Sequence, residues 1–294
     1  MTIHFDIEHT TRYRFARAVM FGEHRVMFRP RDSHDLRVLA TDLLVHPEPD
    51  DIRLIQDVYS NSIAIVQPRS PASELELVAR FTVEHVGTRV LDLPLDPSAE
   101  GYPFVYRDDE REILLPFLTP WYDDPAGIMA NWAHQFVQPS GNVGTREILV
   151  AMTRHIRDSM IYRPRYEEGV QTPYRTIELN SGTCRDFATL MIEAARHLGY
   201  AARFVSGYLW SGEGDPRGNG HIEPGATHAW VQVYLPGAGW LPFDPTNNLV
   251  GGDELVRVGV SRHASQASPV SGTWFGCPTD YLGMDVDVQV RKRL

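Results

Sequence analysis

Apolar and polar positions alternate along the first part of the chain. Ile3, Phe5 and Ile7 alternate with His4, Asp6 and Glu8, and Thr11, Tyr13 and Phe15 keep the period of two. That period predicts strands with one buried face. Further β-like runs lie at 25–28, 36–45, 62–66 and 75–86, punctuated by Pro30, Asp32-Ser33, Pro47, Pro49 and Ser70-Pro71. Strands this close together, with no helical stretch between them, predict a small antiparallel sandwich or barrel over residues 1–90. Residues 91–124 are rich in proline and acid, with no sustained period. They read as a connecting segment wrapped on a second domain, 125–294.

Beyond residue 125 the period changes to helical. Helices are expected at 126–136 and 146–160; in the latter, Ile148, Met152, Ile156 and Met160 recur at four-residue steps and read as core. The strongest helical pattern follows Cys184. Phe187, Leu190, Met191, Ala194, Ala195 and Leu198 fall on one face, and Gly199 sits where a helix C-terminus wants a left-handed residue. Thr183 and Asp186 have capping-box spacing, with Asp in place of the usual Glu. Cys184 is then the first helical residue. Strands are expected at 201–209, 228–235 and 240–244. Periodicity alone thus gives a β-rich first domain followed by a region of helices and strands.

Composition narrows the function classes. The 294 residues carry a formal net charge of −10, with 43% hydrophobic and 22% charged residues. This is the balance of a globular protein. The charge disfavours nucleic acid, and the basic run Arg291-Lys292-Arg293 is too short to reverse that. No apolar run approaches the roughly 20 residues of a membrane span. The opening Met1-Thr2-Ile3-His4-Phe5-Asp6 lacks the layout of a signal peptide. Two cysteines, Cys184 and Cys277, do not make a disulfide framework. A reduced, cytoplasmic protein is the expectation. Lys292 is the only lysine, every other cation being arginine.

Cys184, His228 and Asp244 stand at the edges of regular elements, in the order of nucleophile, base and orienting carboxylate. A thiol has an ordinary pKa of about 8.5. The first turn of a helix and a neighbouring imidazolium both favour the thiolate, and the free amides of that turn suit a developing oxyanion. Among 12 histidines, His228 opens an alternating strand after the glycine-rich stretch 211–227. His221 lies inside that stretch, where a base would be poorly aimed. Parity sets a condition on Asp244. A regular loop of residues 236–239 would pair 231 with 244 and put Asp244 on the face opposite His228. Sharing a face requires one irregularity between 235 and 243, as a bulge or an odd-length loop.

Other chemistries fail on spacing. No second cysteine lies near Cys184, and C-x-x-C and H-x-x-x-H are absent, so no zinc site is expected. Cys277 lies in a Gly-Cys-Pro turn and reads as structural or incidental. Gly212, Gly214, Gly218 and Gly220 follow no phosphate-loop or dinucleotide pattern. No metal or cofactor is expected.

At these residues the chain resembles the transglutaminase-like superfamily of papain-like cysteine enzymes, and within it a bacterial subgroup of cysteine proteases with an N-terminal β domain. The resemblance rests on Gly182-Thr183-Cys184-Arg185-Asp186-Phe187-Ala188, the run from Leu198 to Tyr208, His228-Ala229-Trp230, and Pro236-Gly237-Ala238-Gly239-Trp240 through Asp244-Pro245-Thr246-Asn247. His9-Thr10-Thr11-Arg12-Tyr13, Pro30-Arg31 and Asp57-Val58-Tyr59-Ser60-Asn61 extend it into the first domain. It implies an α+β fold, with the cysteine helix packed on an antiparallel sheet, and it implies Cys184 as nucleophile, His228 as base and Asp244 as its partner. Ser60 stands where the family usually has glycine, and Ser261-Arg262-His263-Ala264 replaces a Gly-Arg-Asp-Tyr-like stretch.

The expected activity is acyl transfer from an amide or peptide through a thioester. Water as acceptor makes a protease or amidase; an amine makes a transglutaminase or ligase. The partner is a peptide or protein substrate, and oligomeric state stays open. A different class, a non-catalytic peptide-binding scaffold on the same fold, predicts an unreactive Cys184.

Overall fold

The computed structural model describes residues 2–87, 90–137, 143–165, 167, 169–210, 212 and 227–293. The alternation at the N-terminus becomes one strand, β1 (Thr2–Val26), in which Phe5, Ile7, His9 and Thr11 are buried at every second position. With β2 (Leu36–His46), β3 (Pro49–Gln56), β4 (Ser62–Pro68) and β5 (Ala72–Val86) it forms an antiparallel sheet of order β2-β5-β1-β4-β3. The strand expected at 25–28 is the end of β1, which reaches β4 only after pairing β5.

A second antiparallel sheet is built from β6 (Ala201–Leu209), β7 (His228–Leu235), β8 (Gly239–Asp244), β9 (Leu249–Val250) and β10 (Leu255–Ser261), in the order β9-β8-β7-β6-β10. Helices α1 (Asp108–Leu118), α2 (Ile128–His134), α3 (Thr145–Ser159), α4 (Pro173–Leu179) and α5 (Cys184–His197) surround it. The protein is α+β, as the resemblance implies. Phe187, Leu190, Met191 and Ala194 of α5 join Met152 and Ile156 of α3 and Val231 and Val233 of β7 in one buried cluster. Each such side chain contributes roughly 1.5–3 kcal/mol by leaving water.

The expected extent of the second domain, 125–294, is corrected by the hydrogen bonding. The chain returns to the first sheet in β11 (Val270–Phe275) and β12 (Tyr281–Lys292), both antiparallel to β1. β12 alternates like the strands it joins, but it stands far from them in sequence. Residues 91–124 also contain α1, which the proline at 116 and the acidic composition disguise. The rest of that segment contacts both the helices and the second sheet: the Leu93 carbonyl accepts from Arg146 of α3, and the Trp121 amide donates to Glu193 of α5. Tyr106 donates its hydroxyl to the Tyr234 carbonyl at 2.8 Å and accepts the Ala201 amide at 2.9 Å.

Polar networks lock the two sheets together. Tyr208 of β6 donates to the Phe28 carbonyl at 3.1 Å, so its oxygen accepts from His9 Nδ1 at 3.0 Å. His9 Nε2 then accepts the Thr11 hydroxyl at 3.1 Å. Burial pushes the His9 pKa down to about 3, which keeps the ring neutral. Asn61 acts as a surrogate strand: its amide group bonds both the N–H (2.9 Å) and the C=O (2.8 Å) of Val260. Asp57 holds the turn that presents it, accepting the amides of Tyr59 and Asn61. Ser60 in that turn has φ of 60°, the left-handed region where glycine costs least. Among the described residues no helix is long and apolar enough to cross a membrane.

Candidate active site

α5 starts where its sequence says. Thr183 is the N-cap with extended backbone, and the capping box with Asp186 closes. The Asp186 carboxylate accepts the Thr183 amide and hydroxyl, both at 2.9 Å. It also accepts the Gln171 amide at 2.7 Å and Arg165 Nη2 at 3.1 Å. Burial opposes this charge, but those donors outweigh it and hold Asp186 below the ordinary carboxylate value. The helix start is therefore anchored to the segment 165–171. Cys184, the first helical residue, is half-buried with a free thiol. The amides of Cys184 and Arg185 belong to the turn that lacks intrahelical acceptors.

His228 opens β7, and Asp244 is the last residue of β8. The hairpin between them has the odd-length loop that parity demands. Leu235 pairs with Gly239 and Val231 with Phe243, so the connection is Pro236-Gly237-Ala238. Gly237 and Gly239 take φ of 86° and 78°, conformations that side chains other than glycine rarely adopt. Asp244 thereby falls opposite Trp230, on the same side as His228. The side chains meet: His228 Nε2 donates to Asp244 Oδ2 at 2.8 Å. Cys184 lies near enough to the same imidazole to favour its charged form. Asp244 occupies Nε2, which leaves Nδ1 for the sulfur.

The surroundings tune this row. Burial works against a charged His228, but the Asp244 carboxylate and the Cys184 side chain outweigh it, raising the pKa well above the ordinary 6.5, to about 10. Burial also works against charge on Asp244, which is held low by His228, Asn247 and Thr246. Asp244 Oδ1 accepts the Thr246 amide at 2.9 Å, and Oδ2 accepts Asn247 Nδ2 at 2.8 Å. Trp230 lies beside the imidazole, ring centres 6.0 Å apart. Three donors thus hold the Asp244 carboxylate toward His228. The arrangement can activate a thiol, carry a proton and stabilise an oxyanion at the start of α5.

Residues 130–245 match the family described as transglutaminase-like superfamily, and residues 5–84 match the bacterial transglutaminase-like N-terminal region. The chain belongs to the transglutaminase-like superfamily. An uncharacterized protein of Mycobacterium tuberculosis is 27% identical over 311 aligned residues, 98% of this chain and 93% of the relative. The protein-glutamine gamma-glutamyltransferase of Pseudomonas aeruginosa is 40% identical over 70 residues, only 24% of this chain and 10% of that protein. A crystal structure from Cytophaga hutchinsonii, described as that of a candidate cysteine protease, superposes with a TM-score of 0.73 at 21% identity, covering 99% of this chain and 91% of the other. At that identity the likeness concerns the fold.

Within this transglutaminase-like core the structure joins all three of the residues singled out by sequence. His221 and most of the 211–227 stretch lie outside the described residues. Cys277 is exposed, and its amide caps a short turn through Asp280 at 2.8 Å. Among the described residues no group of three or more His, Cys, Asp or Glu could hold a metal ion. Asn247 and Thr246 were not assigned roles by sequence reasoning. The signal available was the Asp-Pro-Thr-Asn run, in which an aspartate two residues before an amide forms an Asx turn.

Proposed function

We propose that this protein is a cysteine-dependent acyl-transfer enzyme acting on peptide or amide bonds, with Cys184 as nucleophile, His228 as acid and base, and Asp244 as its orienting partner. The single observation carrying this reading is the imidazole of His228, hydrogen-bonded to Asp244 and raised in pKa by both Asp244 and the neighbouring Cys184. Cys184 Sγ attacks the carbonyl carbon and a C–S bond forms. The oxyanion is stabilised by amides at the start of α5. The His228 proton passes to the leaving nitrogen, the C–N bond breaks, and a thioester remains. An acceptor then attacks the thioester. His228 takes the acceptor's proton, and the thiol is regenerated.

Water is the favoured acceptor, making the protein a protease or amidase. The resemblance to a bacterial subgroup of cysteine proteases supports this. The local match to a gamma-glutamyltransferase favours a second reading, with an amine as acceptor. A reducing cytoplasm suits either, because the nucleophile must stay a thiol. Incubation with peptide libraries, with and without added amines, followed by mass spectrometry, tests the proposal. An acyl adduct on Cys184, lost in Cys184→Ala, is the expected result. Products that gain water identify a hydrolase, and products that gain the amine a transferase. If no adduct and no turnover appear with any library, the scaffold class takes over.

A further inference from the structure

The free edge of β12 has an unusual sequence. Arg293 donates its amide to the His4 carbonyl at 2.8 Å, and Phe5 stands opposite Lys292. In an antiparallel ladder, bonded and non-bonded pairs alternate. The odd residues of β12 therefore bond β1, and the even residues Met284, Val286, Val288 and Val290 turn their N–H and C=O groups away from it. Among the described residues no strand pairs with that second edge. The run from Met284 to Arg293 has no proline, and the bulge against β1 lies beyond Arg14, so charged side chains are what guards this edge. Leu282, Met284 and Val286 are large apolar side chains left 65%, 48% and 37% exposed.

The charges along this edge are ordered. Asp285 and Asp287 lie at one end of the odd face and Arg291 and Arg293 at the other, with Gln289 between them; within the chain Asp285 pairs with Arg14 and Arg293 with Asp6, both at 2.6 Å on exposed side chains that a second copy would share. We propose that β12 is a self-complementary dimerisation edge, which pairs antiparallel with β12 of a second copy about a two-fold axis at Gln289. In that register Asp287 faces the second copy's Arg291, and Asp285 faces its Arg293, each twice by symmetry. Val288 faces Val290, and the Lys292 stem covers Val286. Only even residues then meet across the axis as bonded pairs, which is what their orientation requires. Shifting the axis to Asp287 would oppose like charges. About eight main-chain hydrogen bonds would form. Among the other edge strands, β2 carries only Arg37 and Asp42 as fixed charges, without such an order. An isologous contact of this kind closes at two copies.

Light scattering on the full chain, with reversed charges, tests the proposal. Wild type is expected at twice the chain mass. Asp285→Arg/Asp287→Arg and Arg291→Asp/Arg293→Asp are each expected to run as monomers, with dissociation constants at least 10-fold higher. Mixed together, they should form a heterodimer. Val286→Pro removes an outward amide without touching a bond to β1, and is expected to be monomeric with an unchanged far-ultraviolet circular dichroism spectrum. A monomeric wild type would overturn the proposal. So would a dimer that survives all of these variants, or a mixture of the two charge variants that stays monomeric.

Discussion

His228 answers to Asp244 and Cys184 together, and each contact has a measurable consequence. Its raised pKa means that its contribution to stability is complete below 6.5 and disappears as pH climbs through about 10. Asp244, with a lowered pKa, contributes fully above 3.8 and loses that contribution as pH falls through its folded value. Both contributions are complete between 3.8 and 6.5. Asp244→Asn should therefore cost about 3 kcal/mol near pH 6. The difference from wild type should shrink as pH rises towards 10, as thermal melts across pH will reveal. In the same variant the His228 ring, followed by NMR, should titrate near or below 6.5 and no longer near 10. Turnover should fall about 10³-fold or more. Ser60→Gly relieves a left-handed residue and should stabilise by about 0.5–1 kcal/mol in urea unfolding. Cys184, His228 and Asp244 were legible because their residue types coincide with a cap, a strand start and a strand end. Asn247 was not, because the Asp-Pro-Thr-Asn run reads first as turn chemistry and does not say that the Asn247 side chain reaches back to Asp244.

At the level of elements, the site depends on a cap and on a turn. Asp186→Ala removes a buried acceptor shared by Thr183, Gln171 and Arg165. It should cost about 2–3 kcal/mol, read from denaturant midpoints, and should slow alkylation of Cys184 by loosening the start of α5. The turn is a sharper probe. One glycine inserted after Gly237 would make the loop even and move Asp244 to the far face of β8. The sheet should still form by circular dichroism, while turnover falls as far as in Asp244→Asn and His228 loses its raised pKa. The odd loop was predictable because period-two parity is strict. The helix α1 was not, since Pro116 and a run of acids look like a linker until Leu114 is seen buried against β6.

The whole molecule is held by pairings remote in sequence. β12 lies on β1, more than 250 residues away, and Tyr208 meets His9 and Phe28. Local period says that a segment is a strand but not which sheet it joins, which is why the C-terminal strands were placed with the second domain. The buried network between the sheets should carry stability for both. Tyr208→Phe would leave the Phe28 carbonyl and His9 Nδ1 without partners, and should cost about 1–3 kcal/mol in a single cooperative unfolding transition. Two separated transitions in the wild type would mean that the sheets are not coupled in this way.

The central claim is that the Cys184 thiol is activated by His228. The chain holds its own reference, because Cys277 is a free and exposed thiol while Cys184 is half-buried. Access alone would make Cys277 the faster to react. The decisive measurement is the rate of iodoacetamide alkylation of each cysteine at pH 6, resolved by peptide mass spectrometry. Cys184 should react about 100-fold faster than Cys277, and His228→Ala should abolish that advantage. Equal rates, or a faster Cys277, in the folded wild type would contradict the account.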